Sequence, residues 1–139
     1  EELKLSLGCV YPRSEVSFQE VKGRCLMTGL PKTVTVDSTD MIEALEEPCD
    51  KLLETIHMVL ERTPPELVGD ISENGIIMSG GGSLIWGMDK LVEQRTGIQT
   101  IVVDDALSCT AYGAGRMLLK LNDMQDGMIN LARRKQMQG

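Results

Sequence analysis

Gly75-Ile76-Ile77-Met78-Ser79-Gly80-Gly81-Gly82-Ser83 sets a short β-prone run directly before three consecutive glycines. Downstream, Leu84, Ile85, Met88, Leu91 and Val92 recur at helical spacing, which predicts a helix from Leu84 to Thr96 with the glycines at its entry. Glycines in that place can take positive φ and bring backbone N–H groups close to an anion near a helix start. Nucleotide binding is one reading of this loop. The other is a bare strand-to-helix turn, since neither a following Lys-Ser/Thr pair nor the spaced dinucleotide fingerprint is present.

Outward from the loop, the second half of the chain alternates elements. Thr63-Pro64-Pro65-Glu66 reads as an N-cap followed by proline at the first helical position, opening a short helix that ends before Asn74-Gly75. Thr100-Ile101-Val102-Val103 reads as a buried strand, and Ser108 to Leu121 as a helix rich in small residues. This α, β, α, β, α order predicts a parallel strand pair covered by helices. Two strands are few where such sheets usually have about five or six. Together with a helical start at Glu1 to Leu7 and no initial methionine, this predicts a piece of a longer α/β protein.

In the first half, residues 14 to 36 have β composition: Val16 and Phe18 alternate with polar neighbours, and Thr33-Val34-Thr35-Val36 closes the series. Two or three strands are expected, with a hairpin turn at Thr28-Gly29-Leu30-Pro31-Lys32. Asp37, Ser38 and Thr39 offer caps for a long helix whose apolar face carries Ile42, Leu45, Cys49, Leu52, Leu53, Ile56, Val59 and Leu60. Pro48 lies inside that pattern. It predicts a kink or break near Ala44 to Glu47, with Glu43, Glu46 and Glu47 in an N-terminal turn.

The formal net charge of −7 over 139 residues excludes a nucleic-acid groove, which needs a basic stripe. No apolar run approaches the ~20 residues needed to cross a bilayer, and no leader-like segment precedes the first element; both predict a cytoplasmic chain. Cys9, Cys25, Cys49 and Cys109 stand far apart with no CxxC pair, and His57 is the one histidine, so a zinc site lacks its ligands. Four buried, reduced thiols are expected. His57, with Glu54 and Glu61 around it on a polar helix face, reads as a surface residue. Asp104-Asp105 reads as a helix cap. The tail from Asn122, with Met124, Met128 and Leu131 before Arg133-Arg134-Lys135, reads as a frayed, partly disordered terminus more than a membrane-surface helix.

Four strings are more specific than the glycines alone: Thr28-Gly29-Leu30-Pro31-Lys32-Thr33, Glu43-Ala44-Leu45-Glu46-Glu47-Pro48, Glu61-Arg62-Thr63-Pro64-Pro65-Glu66-Leu67 and Ser79-Gly80-Gly81-Gly82. Together they resemble the C-terminal part of the MreB family, bacterial actin-like proteins of cell shape, from Glu1 to about Leu121. The resemblance implies part of the second lobe of an actin-like ATPase fold. That is an incomplete βα sheet layer plus a small α+β tip subdomain: residues 1–50 as a partial tip subdomain (IIB), 51–121 as part of the larger one (IIA), and 122–139 as tail.

By that resemblance Gly80, Gly81 and Gly82 face a nucleotide's sugar and phosphates, with Ser83 at the start of the next helix. Glu1 and Lys4, three apart on one helical face, resemble an acidic-basic pair that contacts adenine; a solvated ion pair is the alternative. Gly113-Ala114-Gly115 resembles the second connection between lobes. ATP with Mg is implied for the parent, whose metal-holding and catalytic carboxylates fall in the other half. This chain alone is therefore expected to bind nucleotide poorly and hydrolyse none.

The implied partners are further copies of the parent in a filament and membrane-bound proteins of cell-wall elongation, at the inner face of the membrane. A sugar-kinase or chaperone-type lobe, or a stand-alone interaction domain, are the competing classes. An unfinished sheet edge predicts that the isolated chain dimerises.

Overall fold

A computed structural model describes residues 2–119. Glu1 and 120–139 lie outside the described residues, and with them the expected tail and the expected helix end at Leu121. The elements run α1 (Glu2–Leu7), β1 (Phe18–Arg24), β2 (Pro31–Asp37), α2 (Ser38–Arg62), α3 (Pro65–Asn74), β3 (Ile76–Met78), a 3-10 turn (Gly81–Leu84), α4 (Met88–Thr96), β4 (Thr100–Val102) and α5 (Cys109–Leu119).

β1 and β2 form an antiparallel ribbon with Phe18 opposite Asp37 and Arg24 opposite Pro31. The turn falls at Cys25 to Leu30, earlier than expected. Pro31 and Lys32 already belong to β2, where Pro31 sits at the first strand position and needs no ladder donor. Val16, expected in a strand, lies before β1 and is exposed.

Asp37 caps α2 as its composition foretells. Its carboxylate accepts from the N–H groups of Thr39 and Asp40, and Asp40 returns a bond to the Asp37 N–H, a reciprocal box that satisfies the first turn. Those bonds, the Asp40 N–H foremost, hold the Asp37 carboxyl below its ordinary range.

Pro48 does not break the helix. α2 runs from Ser38 to Arg62 without interruption, so Glu43, Glu46 and Glu47 lie inside it and residue 50 falls mid-helix. The carbonyl that Pro48 leaves unbonded is that of Ala44, four residues back, and both residues are exposed, so water can take the freed acceptor. Thr63 ends α2 instead of opening α3, with its hydroxyl donating to the Val59 carbonyl at 2.7 Å. Pro65 takes the first position of α3.

β3 and β4 pair in parallel, Ile76 with Thr100, Ile77 with Ile101 and Met78 with Val102, joined by α4 as the crossover. One side of this layer is packed. Val10, Cys49 and Met88 are buried together, with Leu45, Met78, Ile85 and Leu91 against them, and Cys9 and Val92 are fully enclosed. Arg95 of α4 donates to Asp50 of α2 at 2.7 Å across the seam. The other side is open, where the neighbouring Ile77 and Ile101 are 71% and 49% exposed.

Only two of the four cysteines match the expected burial. Cys9 and Cys49 are buried, whereas Cys25 and Cys109 are half-buried, and none is bridged. Burial pushes the Cys49 thiol up, with the Asp50 charge adding to it. The Thr28 hydroxyl, then the Thr28 and Met27 backbone, hold the Cys25 thiol below its ordinary value. No helix among the described residues is long and apolar enough to cross a membrane.

Candidate functional site

The glycine triplet does not open a long helix. β3 ends at Met78, Gly80 turns the chain with φ 85° and ψ 166°, and Gly81–Leu84 form a separate 3-10 turn. Ile85 is extended, and α4 begins only at Met88 behind a left-handed Gly87. The expected helix start at Leu84 is displaced because the intervening backbone is spent on tertiary pairing. The Val10 N–H donates to the Trp86 carbonyl at 3.1 Å, and Cys9 bridges Trp86 in parallel. A helix would have consumed those groups internally. α4 therefore does not begin at the triplet.

What the triplet offers is backbone. The Gly80 N–H donates to the Ala106 carbonyl at 2.6 Å, and the Gly80 carbonyl accepts from Ser83 twice, through its N–H at 3.2 Å and its hydroxyl at 2.7 Å. Ser83 is buried and closes the turn from inside, so it lies within the 3-10 turn and not at the start of α4 as expected. Among the described residues, the N–H groups of Gly81 and Gly82 donate to no backbone carbonyl. They are the orphan donors of a helical first turn. Of the three glycines only Gly80 has positive φ.

Beside the turn lies a cavity of about 350 Å³ lined by Lys4, Leu5, Gly8, Arg13, Gly81, Leu84, Ile85, Trp86 and Leu107. Lys4 and the glycine turn, distant in sequence, thus meet at one cavity. α1 and the segment after it bring Lys4 and Arg13 there because that segment runs alongside Trp86. Glu1, the other half of the expected pair, lies outside the described residues.

Arg13 and Trp86 are site residues that sequence reasoning missed. The Arg13 guanidinium stacks over the Trp86 ring at 5.0 Å, and Lys90 also approaches that ring at 5.0 Å. Arg13 donates to the Gly8 carbonyl at 3.4 Å and the Ser17 hydroxyl at 3.3 Å, while its Nε is buried with no partner. The signal available was the one tryptophan of the chain standing just past the glycines. Around the cavity Leu5, Leu84 and Leu107 are largely exposed, an apolar rim.

Elsewhere the expected features are ordinary. His57 is exposed on α2 near Asp50, Glu54 and Arg95. Asp105 accepts from the Ser108 N–H at 3.3 Å just ahead of α5, a capping role. Gly113 and Gly115 lie on an exposed helix with open space around them, so no close helix crossing there involves the described residues. Also among the described residues, no three His, Cys, Asp or Glu side chains gather as metal ligands would. The cavity is lined by two cations, the Gly81 backbone and an indole, and by no carboxylate.

A family profile described as MreB/Mbl protein matches residues 1–126. The chain is 41% identical over 127 residues to the cell shape-determining protein MreB of Escherichia coli (strain K12), covering 91% of this chain and 36% of that protein. It is 36% identical over 135 residues to the cell shape-determining protein Mbl of Bacillus subtilis (strain 168), covering 97% and 38%. Crystal structures of MreB5 of Spiroplasma citri superpose with TM-scores of 0.82, bound to ADP, and 0.83, bound to AMPPNP, at 29% and 30% identity, covering 89% and 88% of this chain and 39% and 37% of those chains. The chain therefore spans a little over a third of the length of these relatives. By the profile match and the shared fold, this chain belongs to the MreB/Mbl family.

Proposed function

We propose that this chain is part of the second lobe of an actin-like filament subunit that helps set rod cell shape, and that it forms one wall of an ATP cleft. The observation that carries the reading is the convergence of Lys4 and Gly81 on one cavity. The Gly81 and Gly82 N–H groups and the Lys4 ammonium would hold phosphate and ribose oxygens. Trp86 and the leucine rim would offer the purine an apolar surface. Magnesium and the attacking water would be held from the other lobe, which is why this chain alone is not expected to hydrolyse ATP. The ADP and AMPPNP bound in the Spiroplasma citri structures support nucleotide in this family.

On this reading the β1–β2 ribbon and the first half of α2 belong to a tip subdomain, residues 51–121 to the larger one, and α5 with Gly113-Ala114-Gly115 to the connection between lobes. The open face carrying Ile77 and Ile101 would pack against the rest of the lobe, or in isolation against a second copy. Subunits would join head to tail, a contact that propagates. Membrane-bound wall-synthesis proteins at the inner face of the membrane are the expected neighbours.

The test is calorimetric titration with ATP and magnesium of the full-length parent, its Lys4→Ala variant, and this chain alone. We expect saturable binding by the parent, a roughly tenfold loss in the variant, and no resolvable heat from the chain. Unchanged affinity in the variant would remove Lys4 from the site. Tight stoichiometric binding by the chain alone would overturn the one-wall reading.

A further inference from the structure

We propose that the groove between α2 and α4 receives residues 127–139 of the same chain. The groove is a cavity of about 330 Å³ with Leu45, Cys49 and Leu91 over Val10 as its apolar floor. Glu43, Glu46 and Asp50 also line it. Helical spacing turns the α2 side into two parallel stripes. Ile42, Leu45 and Cys49 lie at steps of three and four along α2, and Glu43, Glu46 and Asp50 repeat those steps one residue on. An occupant that fits must be apolar along one side and basic along the next.

The acidic stripe is only partly neutralised from within. Asp50 is held by Arg95. Glu47, on the far side of α2, is held by Lys51. Glu43 and Glu46 are exposed and, among the described residues, form no ion pair. The floor beside them is unfinished too, because Leu45 and Leu91 are half-buried while Val10 and Cys49 beneath are buried.

Charge and length select the occupant. Gly127 to Gly139 carries Met128, Ile129 and Leu131, then Arg133-Arg134-Lys135, and no acidic side chain, in a chain of net charge −7. This is the one run of three consecutive cations in the sequence. The nine residues that follow Leu119 reach as far as about 30 Å, more than twice the ~13 Å radius of gyration of a domain this size, so the tail can return to any face. Tethering holds it at an effective concentration on the order of millimolar, so that burial of a few apolar side chains and two surface ion pairs, each weak alone, add to one contact. Salt should release this latch by screening the pairs.

The test is photo-cross-linking with benzoylphenylalanine in place of Leu131, in the 139-residue chain and in the full-length parent, with the products mapped by mass spectrometry. We expect cross-links within one molecule to residues 39–50 and 88–95, in a yield that falls at high salt and does not change on dilution. Glu43→Lys with Glu46→Lys should lower the yield about tenfold, and Arg133→Glu with Arg134→Glu about as much. All four together should restore most of it, which damage to the fold could not do. Glu43 and Glu46 are exposed, so circular dichroism should be unchanged when they are replaced.

Cross-links scattered over the surface, or a yield indifferent to the charge reversals, overturn the proposal. So do cross-links confined to dimers, which would make groove and tail a contact between copies. Cross-links that form in this chain and are absent from the parent overturn it as well, since the rest of the lobe would then fill the groove. Every readout is taken without nucleotide, so the outcome does not depend on the ATP reading.

Discussion

A side chain added at Gly87 would meet the Tyr11 Cβ at 2.3 Å, in a backbone held at φ 82°, whereas one added at Gly82 would meet nothing within 4 Å, and Gly82 does not have positive φ. The two glycines lie in the same connection between β3 and α4 and answer to different constraints. Gly87 is where the segment after α1 presses against the chain, so its lack of a side chain is a packing requirement. Gly81 resembles Gly82 more than Gly87, with one ordinary contact to Leu107 at 3.4 Å. The fold therefore accounts for Gly80 and Gly87 and leaves Gly81 and Gly82 without a structural reason. A ligand approaching the backbone closely would supply one.

The sharpest way to break this contrast is to substitute both classes. Gly87→Ala should cost about 3 kcal/mol, combining a left-handed non-glycine residue with overpacking against Tyr11. The urea midpoint of this chain should fall accordingly. A variant as stable as the original would mean that the segment after α1 gives way freely, and the cavity beside it would lose its fixed wall.

Gly75→Ala should follow at about 2 kcal/mol. Gly75 has φ 85° and ψ 177°, a region closed to other residues, and an added Cβ would sit 2.7 Å from the Gln99 carbonyl. That carbonyl is fixed because it accepts from the Ile76 N–H at the start of the β3–β4 pairing. A smaller loss than that of Gly82→Ala, read by the same denaturation midpoint, would invert the division between the two classes.

Ser83→Ala tests the turn itself. It removes a buried hydroxyl and its 2.7 Å bond to the Gly80 carbonyl, and should cost about 1 kcal/mol. Thermal unfolding would measure it. ATP affinity of the parent should change little, because Ser83 supports the loop from behind. A selective loss of affinity with stability intact would place Ser83 among the residues that contact nucleotide.

Much of this arrangement was legible along the chain, and its failures have one physical origin. Strand positions at Ile76 to Met78 and Thr100 to Val102, the Asp37 cap and the apolar stripe through Cys49 and Leu53 follow from local pattern. The helix start at Leu84 was misread because Trp86 pairs with Cys9 and Val10, partners that no window of sequence contains. Pro48 was overweighted because its cost depends on whether Ala44 faces water. In the site, the glycines were visible as a local string, while Lys4 rested on resemblance and Arg13 was not seen. An arginine becomes part of a site only when the fold lays its segment against a distant tryptophan.

Gly82→Ala is the smallest expected effect on the fold and the most informative. With open space and ordinary backbone angles, the substitution should shift stability by no more than about half a kcal/mol, and the stiffer unfolded chain could offset even that. If the triplet is present for a ligand, the same methyl group should stand where phosphate or ribose oxygens approach the N–H groups. ATP affinity of the full-length parent should then fall roughly tenfold, the worth of one hydrogen bond to a charged group. Calorimetry on the parent and urea denaturation of this chain read the two quantities independently. Stability lost with affinity kept would make Gly82 a second Gly87, a residue of the fold. Both kept would leave the triplet a turn and move the nucleotide contact to Lys4, Arg13 and Trp86.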